Sequence, residues 1–188
     1  TVKDFGGEVV MTSESCPTGT DRIAEVVADL ENFDVVANIQ GDEPLLEPVM
    51  VDEMIQPFFD DPEVEVSTLV QPISSEVDYR NPNVVKVALT NDWFAMYFSR
   101  ASIPGNKNLE WYGGLPAYRH IGLYAYKRDC LLKFTRMSKT KFEKAEGLEQ
   151  LRFLENGIPI KVVETKYSTI GVDTPADLER VIEVIESQ

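Results

Sequence analysis

Apolar positions along the chain follow two rhythms, one of period two and one of period three to four. Glu8–Thr12 (EVVMT) predicts a short strand, and Ser13–Gly19 reads as loop. From Thr20, the run TDRIAEVVADL puts Ile23, Val26, Val27 and Leu30 on one helical face. Val35–Ile39 (VVANI) is a near-continuous apolar run, the pattern of a strand buried on both faces. It leads into QGDEP, a helix around Pro48–Phe59 and a strand over Val64–Ile73. Strand, helix, strand, helix, strand predicts an α/β fold with a parallel sheet.

The second half changes character. Val84–Leu89 and Trp93–Phe98, joined by Thr90-Asn91-Asp92, predict a β-hairpin. Asn106–Tyr118 reads as a glycine-bearing loop, and Arg119–Lys127 as a strand. Helices are predicted at about Asp129–Met137 and Phe142–Leu154, with a strand at Ile158–Thr165 between them and the last helix. That helix has Thr174 as N-cap and Pro175 in its first turn, and runs to about Glu186. The pattern contains no repeat, linker or low-complexity tract, so 1–188 reads as a single domain.

Composition narrows the class. The 188 residues are 43% hydrophobic, enough for a full core and too much for a disordered chain. No apolar run has the length of a membrane helix, and no basic-then-apolar leader is visible, so a cytoplasmic setting is expected. Net charge is −14, which argues against nucleic acid or an anionic membrane as partner. Residues 1–79 carry 19 acids against two bases, Lys3 and Arg22. An anionic substrate would have to be received there by metal ions or backbone amides. The two cysteines, Cys16 and Cys130, fit no zinc or disulfide pattern, and His120 is the one histidine. Chemistry must therefore rest on carboxylates, arginines, lysines and metal.

The candidates sit at strand ends and helix starts. Gln40-Gly41-Asp42-Glu43-Pro44 follows the most buried strand, where α/β folds bind ligands; Asp42 is a hard oxygen donor suited to Mg²⁺, or else part of an acidic turn. Gly171-Val172-Asp173-Thr174-Pro175 is a second such junction, and Asp173 is either a metal ligand beside Asp42 or an acid at a helix start. Thr18-Gly19-Thr20-Asp21-Arg22 offers backbone amides to a phosphate or base edge. Arg100, after Tyr97-Phe98-Ser99, presents a bidentate fork for a carboxylate or is a surface cation. His120 could bond a polar ligand or be structural. Glu149 and Gln150 fall off the stripe made by Leu148, Leu151 and Leu154. The seven bases of Lys127–Lys144 read as a solvated face.

Taken in order, PTGTDRIAE, IQGDEP, YFSRASIP, RHIGLYAY, GLEQLR and GVDTPADLE resemble the 3-deoxy-manno-octulosonate (Kdo) cytidylyltransferase family over essentially the whole chain. The resemblance implies a Rossmann-like nucleotidyltransferase fold: a mostly parallel central sheet flanked by helices, with a small hairpin and dimerisation insertion. Residues 97–156 would form the sugar-binding and dimerisation region. It implies CTP and Kdo as substrates, CMP-Kdo and pyrophosphate as products for lipopolysaccharide assembly, Mg²⁺ as cofactor and a homodimer. Carried across, Asp42 and Asp173 hold the metal and Gly19, Thr20 and Arg22 lie near the cytosine. Gln40, Arg100, His120, Tyr124, Glu149 and Gln150 form the Kdo pocket, with Arg100 and His120 on the sugar carboxylate. Trp111, Tyr112 and Leu115 are large apolar loop residues expected to need a partner chain.

One departure stands out. The family's first strand and its A-R-x-x-S-x-R-L-x-x-K triphosphate loop are absent from these residues, and a molecule beginning at Thr1 would be expected to be poorly active and less stably folded. Two other readings remain open at this stage: another CMP-sugar synthetase, of the acylneuraminate type, and a non-catalytic nucleotide-binding module.

Overall fold

In the computed structural model, residues 1–105, 107–108, 111, 114–169, 171–172 and 174–186 are described. Asp173 and Tyr112, both singled out above, therefore lie outside the described residues.

One six-stranded sheet organises the chain. Its strands are β1 (Val35–Asn38), β2 (Val66–Pro72), β3 (Lys86–Leu89), β4 (Ala95–Ser99), β5 (Tyr118–Lys127) and β6 (Lys161–Glu164). The helices are α1 (Gly19–Ala28), α2 (Pro48–Ile55), α3 (Pro57–Asp60), α4 (Glu76–Arg80), α5 (Arg128–Phe134), α6 (Lys141–Glu146), α7 (Leu151–Glu155) and α8 (Pro175–Glu186). The hairpin of β3 and β4 forms as expected, closed by a loop in which Thr90 N–H donates to Phe94 O at 2.8 Å.

The sheet is mixed rather than mostly parallel. Of its strand pairs only β2 with β6 is parallel; β1 and β2 both run antiparallel to β5, as do β3 to β4 and β3 to β5. Strands covered by helices on both faces look alike in either direction, because side-chain alternation carries no polarity. The apolar runs located β1 and β2 but said nothing of the reversal that β5 introduces. Two further expectations are corrected. Glu8–Thr12 pairs with no strand and leaves Met11 90% exposed, since β-propensity without a paired edge does not make a strand. The helix expected over Phe142–Leu154 breaks at Gly147, whose φ of 64° closes α6 before α7 starts.

Strand β5 is the axis of the molecule. Its odd-numbered positions Ile121, Leu123 and Ala125 pack with Leu69 against Met50 and Met54 of α2. Its even positions Tyr124 and Tyr126 turn to the larger core with Cys130, Phe134, Leu148 and Phe153. Along one edge β5 pairs with β2. Along the other it pairs with β3 at Tyr118 and Arg119 and with β1 from Tyr124 to Lys127. Residues 121–123 are left without a strand partner on that edge, and the register against β2 slips at the same place, between Thr68 and Leu69. Thr68 Oγ1 patches the irregularity, donating to Leu123 O at 2.7 Å and lying 3.2 Å from Ile121 O.

Candidate active site

A cavity of about 270 Å³ opens over this gap between β1 and β3. It collects, from four distant stretches of sequence, Thr20, Gln40, His120, Tyr124, Glu149 and Gln150, six of the residues singled out above. Asn38, Val85, Gly122, Tyr126, Leu148 and Phe153 complete its lining.

The start of α1 is locked to the wall opposite by one carboxylate. Thr18 caps α1, accepting from Asp21 N–H, and its hydroxyl lies 3.0 Å from Glu149 Oε1. Thr20, buried, donates to Glu149 Oε2 at 2.8 Å. Glu149 also faces Arg152 Nη2 at 3.8 Å. Arg152 itself belongs to the core: it is 4% exposed, donates from Nε to Glu143 Oε2 at 2.8 Å and from Nη2 to Glu143 Oε1, and stacks over Phe134. Burial alone would raise the pKa of Glu143, but Arg152 and the Thr140 N–H hold it below the usual carboxylate range. The turn that carries Glu149 and Gln150 is thus braced from both sides. Gln150, 8% exposed, makes no side-chain hydrogen bond to the described residues, so its amide is available to a ligand. Gln40 donates to Asn38 Oδ1 at 2.9 Å.

His120 is enclosed by its own chain. Its Nε2 lies 3.1 Å from Thr68 Oγ1, and its ring meets Phe98 and Tyr124 at 5.1 and 5.3 Å between centroids. Desolvation in these surroundings lowers its pKa to about 3. Since Thr68 spends its proton on Leu123 O, the neutral ring donates from Nε2 and leaves Nδ1 as an acceptor. His120 is therefore an uncharged hydrogen-bonding group at neutral pH. Burial likewise raises the Tyr124 phenol well above its ordinary range, opposed by the Thr68 hydroxyl, and its OH has no hydrogen-bond partner of good geometry among the described residues.

Four candidates lie outside the cavity lining. Arg100 donates from Nε to Glu146 O (2.8 Å) and from Nη1 to Pro82 O (3.2 Å), which fixes the guanidinium and leaves Nη2 open. Arg22 reaches back to Thr12 Oγ1 and Ser13 O at 2.7 and 3.1 Å, bracing the loop before α1. Gly19 is exposed in the first turn of α1, with nothing within 4 Å of where a Cβ would stand. Asp42 is exposed in the loop after β1, and its carboxylate makes no hydrogen bond or ion pair with the described residues. Its backbone carbonyl accepts from Val172 N–H at 2.9 Å, so the two strand-to-helix junctions are adjacent. No group of three or more carboxylate, imidazole or thiol ligands occurs among the described residues. Mg²⁺ is ordinarily held by one or two carboxylates together with phosphates and water, and an unengaged exposed carboxylate here fits that chemistry.

The sequence reading missed Lys86. It is fully buried, and its Nζ donates to the carbonyls of Asn81, Val84 and Arg100 at 2.6–2.8 Å. Desolvation, reinforced by Arg100 and opposed by Glu146, lowers its pKa. A lone lysine inside an alternating strand (VVKVAL) was the available signal. Trp111 and Leu115 are partly buried on Tyr79, Ile73 and Ala117 of the same chain, with Trp111 at 5.0 Å from the Tyr79 ring.

A helix-flanked sheet of this topology, with a cavity beside β1 and a loop-capped helix start on its rim, defines the nucleotidyltransferase fold. Its backbone matches a 4-diphosphocytidyl-2C-methyl-D-erythritol synthase from Anaerococcus prevotii with a TM-score of 0.60 at 13% identity, over 98% of this chain and 74% of that one. Residues 1–165 match the cytidylyltransferase family model. The chain is 49% identical to 3-deoxy-manno-octulosonate cytidylyltransferase of Geobacter metallireducens, over 97% of this chain and 74% of that protein. A solved CMP:2-keto-3-deoxy-manno-octonic acid synthetase in complex with CTP superimposes with a TM-score of 0.91 at 40% identity, covering 99% of this chain and 75% of that one. This chain belongs to the 3-deoxy-manno-octulosonate cytidylyltransferase family.

Proposed function

We propose that the protein transfers CMP from CTP to Kdo, giving CMP-Kdo and pyrophosphate. The observation that carries this reading is the assembly of Gln40, His120, Tyr124, Glu149 and Gln150 around one cavity whose rim is the start of α1. Relatives 44–50% identical, all bearing the Kdo cytidylyltransferase name, support it over the acylneuraminate alternative.

In this reading the anomeric hydroxyl of Kdo attacks the α-phosphorus of CTP; the bond from that phosphorus to the bridging oxygen breaks, pyrophosphate departs with its electron pair, and the hydroxyl proton is released. Such transfers are driven mainly by positioning and charge neutralisation. The first turn of α1, with Gly19 and Thr20, lies beside the nucleotide. Gln40, Gln150 and the Tyr124 phenol meet the sugar hydroxyls, and His120 Nδ1 accepts from one of them. Arg100 Nη2 is the cation assigned to the Kdo carboxylate. Asp42, with Asp173, would hold Mg²⁺, which when bound neutralises triphosphate charge and lowers the pKa of the attacking hydroxyl. Such a cation also answers the acidity of residues 1–79.

The wider setting follows the same reading: activation of Kdo for lipopolysaccharide assembly in the cytoplasm, by a homodimer. No helix among the described residues is long and apolar enough to cross a membrane. A dimer contact is supported by Met96 of β4, exposed beside an apolar groove lined by Leu89, Trp93 and Pro104. The experiment is pyrophosphate release from CTP and Mg²⁺ with Kdo or with an acylneuraminate as acceptor. Release with Kdo alone is expected; equal release with the acylneuraminate would overturn the choice of sugar.

A further inference from the structure

The even positions of β5 that face the cavity carry rings at 120, 124 and 126, and no side chain at all at 122. This glycine stands in the interior of a strand, where it weakens the strand unless another group must come close. Its φ is not positive, so the backbone does not require glycine. A Cβ placed there would meet nothing within 4 Å, so packing does not require it either. It lies where β5 lacks a partner on one edge and where the register against β2 slips, and it is exposed between buried Ile121 and Leu123 in the cavity lining. The empty space over position 122 is thus a property of the site and not of the fold.

We propose that Gly122 is a specificity-determining residue: its missing side chain is the room in which the acidic sugar lies against the β5 backbone. The proposal rests on the reading that this cavity receives the sugar. A methyl group at 122 would intrude on the sugar ring while touching nothing in the free protein, and an isopropyl group would fill the floor between His120 and Tyr124.

The test compares Gly122→Ala, Gly122→Val and Gln150→Ala, the last a direct probe of the cavity. Expected for Gly122→Val is a rise of about tenfold or more in KM for Kdo, the scale on which a pocket registers added methyl groups, with Gly122→Ala intermediate. KM for CTP should stay within about twofold on the same scale, and Tm should be unchanged or higher in Gly122→Ala, since a Cβ there meets nothing within 4 Å. A wild-type KM for Kdo in Gly122→Val, with Gln150→Ala impaired, overturns the role of Gly122 and leaves the cavity reading intact. A wild-type KM for Kdo in both Gly122→Val and Gln150→Ala overturns the cavity reading itself. A fall in Tm that tracks the loss of activity in both glycine variants also overturns the proposal, by making the glycine structural.

Discussion

The hydroxyl of Thr20 donates to Glu149 Oε2 at 2.8 Å across 129 positions of sequence, fastening the start of α1 to the turn between α6 and α7. The helix start assigned to the nucleotide and the turn assigned to the sugar therefore move as one piece, and a single carboxylate governs their spacing.

Glu149→Gln keeps the shape of that link but replaces a charged acceptor with a weaker neutral one. Hydrogen bonds to charged groups contribute about 1.5–3 kcal/mol, so kcat/KM should fall roughly 10- to 100-fold for CTP and Kdo alike. Thr20→Val should give a smaller loss in the same direction. Steady-state kinetics with each substrate varied in turn checks this; a loss confined to one substrate would separate the two subsites.

Asp42→Asn removes a charge from the loop tied to Val172 without changing its volume. Catalysis should drop by about two orders of magnitude, the scale of one lost electrostatic contribution, and raising Mg²⁺ should recover part of it. Near-normal turnover of the variant at limiting Mg²⁺ would take Asp42 out of the metal site.

Much of this was legible before the structure. The start of the helix over residues 175–186 was placed because Thr174 and Pro175 mark it, and the segment resemblance located six of the residues that now share one cavity. What sequence could not supply was direction and enclosure. VVANI reads the same whether β1 runs parallel or antiparallel to its neighbour, and only the antiparallel pairing with β5 creates the gap over 121–123. His120 could be read in sequence only as a ligand-bonding or a structural residue; its neutrality comes from burial among Thr68, Phe98 and Tyr124, which meet it only in the folded chain. Arg100 looked free because nothing local in YFSR shows that Pro82 and Glu146 take two arms of its guanidinium.

Arg100→Lys should raise KM for Kdo more than KM for CTP, by about 1.5–3 kcal/mol expressed as roughly 10- to 100-fold. Lysine keeps the charge but cannot hold the Pro82 and Glu146 carbonyls while presenting a further N–H. A selective loss of CTP affinity would assign Arg100 to the triphosphate instead.

The imidazole of His120 binds a proton at about pH 3 in the folded chain against an ordinary 6.5. Between these values the unfolded chain binds more protons, so the stability this neutral ring contributes is complete above pH 6.5 and is lost as pH falls toward 3. His120→Gln should flatten the fall in Tm between pH 6.5 and 4.5; below that range Glu143 and Glu146, whose pKa values lie under 4.5, add their own acid lability. An unchanged slope in His120→Gln would show that the ring titrates normally.

Arg152→Met strands the buried carboxylate of Glu143 and should cost about 3–5 kcal/mol, read as a drop in Tm of roughly 10 °C. Adding Glu143→Gln should recover much of that loss, because the two residues act as a pair. Additive losses in the double variant would show that they stabilise the chain independently.

The central claim is that one cavity, floored by β5 and walled by α1 and the turn between α6 and α7, receives the sugar that CMP is transferred to. A crystal structure with Kdo and a non-hydrolysable CTP analogue tests it most directly. The account predicts the sugar ring over Gly122, within hydrogen-bond reach of Gln150 and His120, with the nucleotide at the start of α1. A sugar bound elsewhere, or the cytosine base occupying the floor over Gly122, would contradict it.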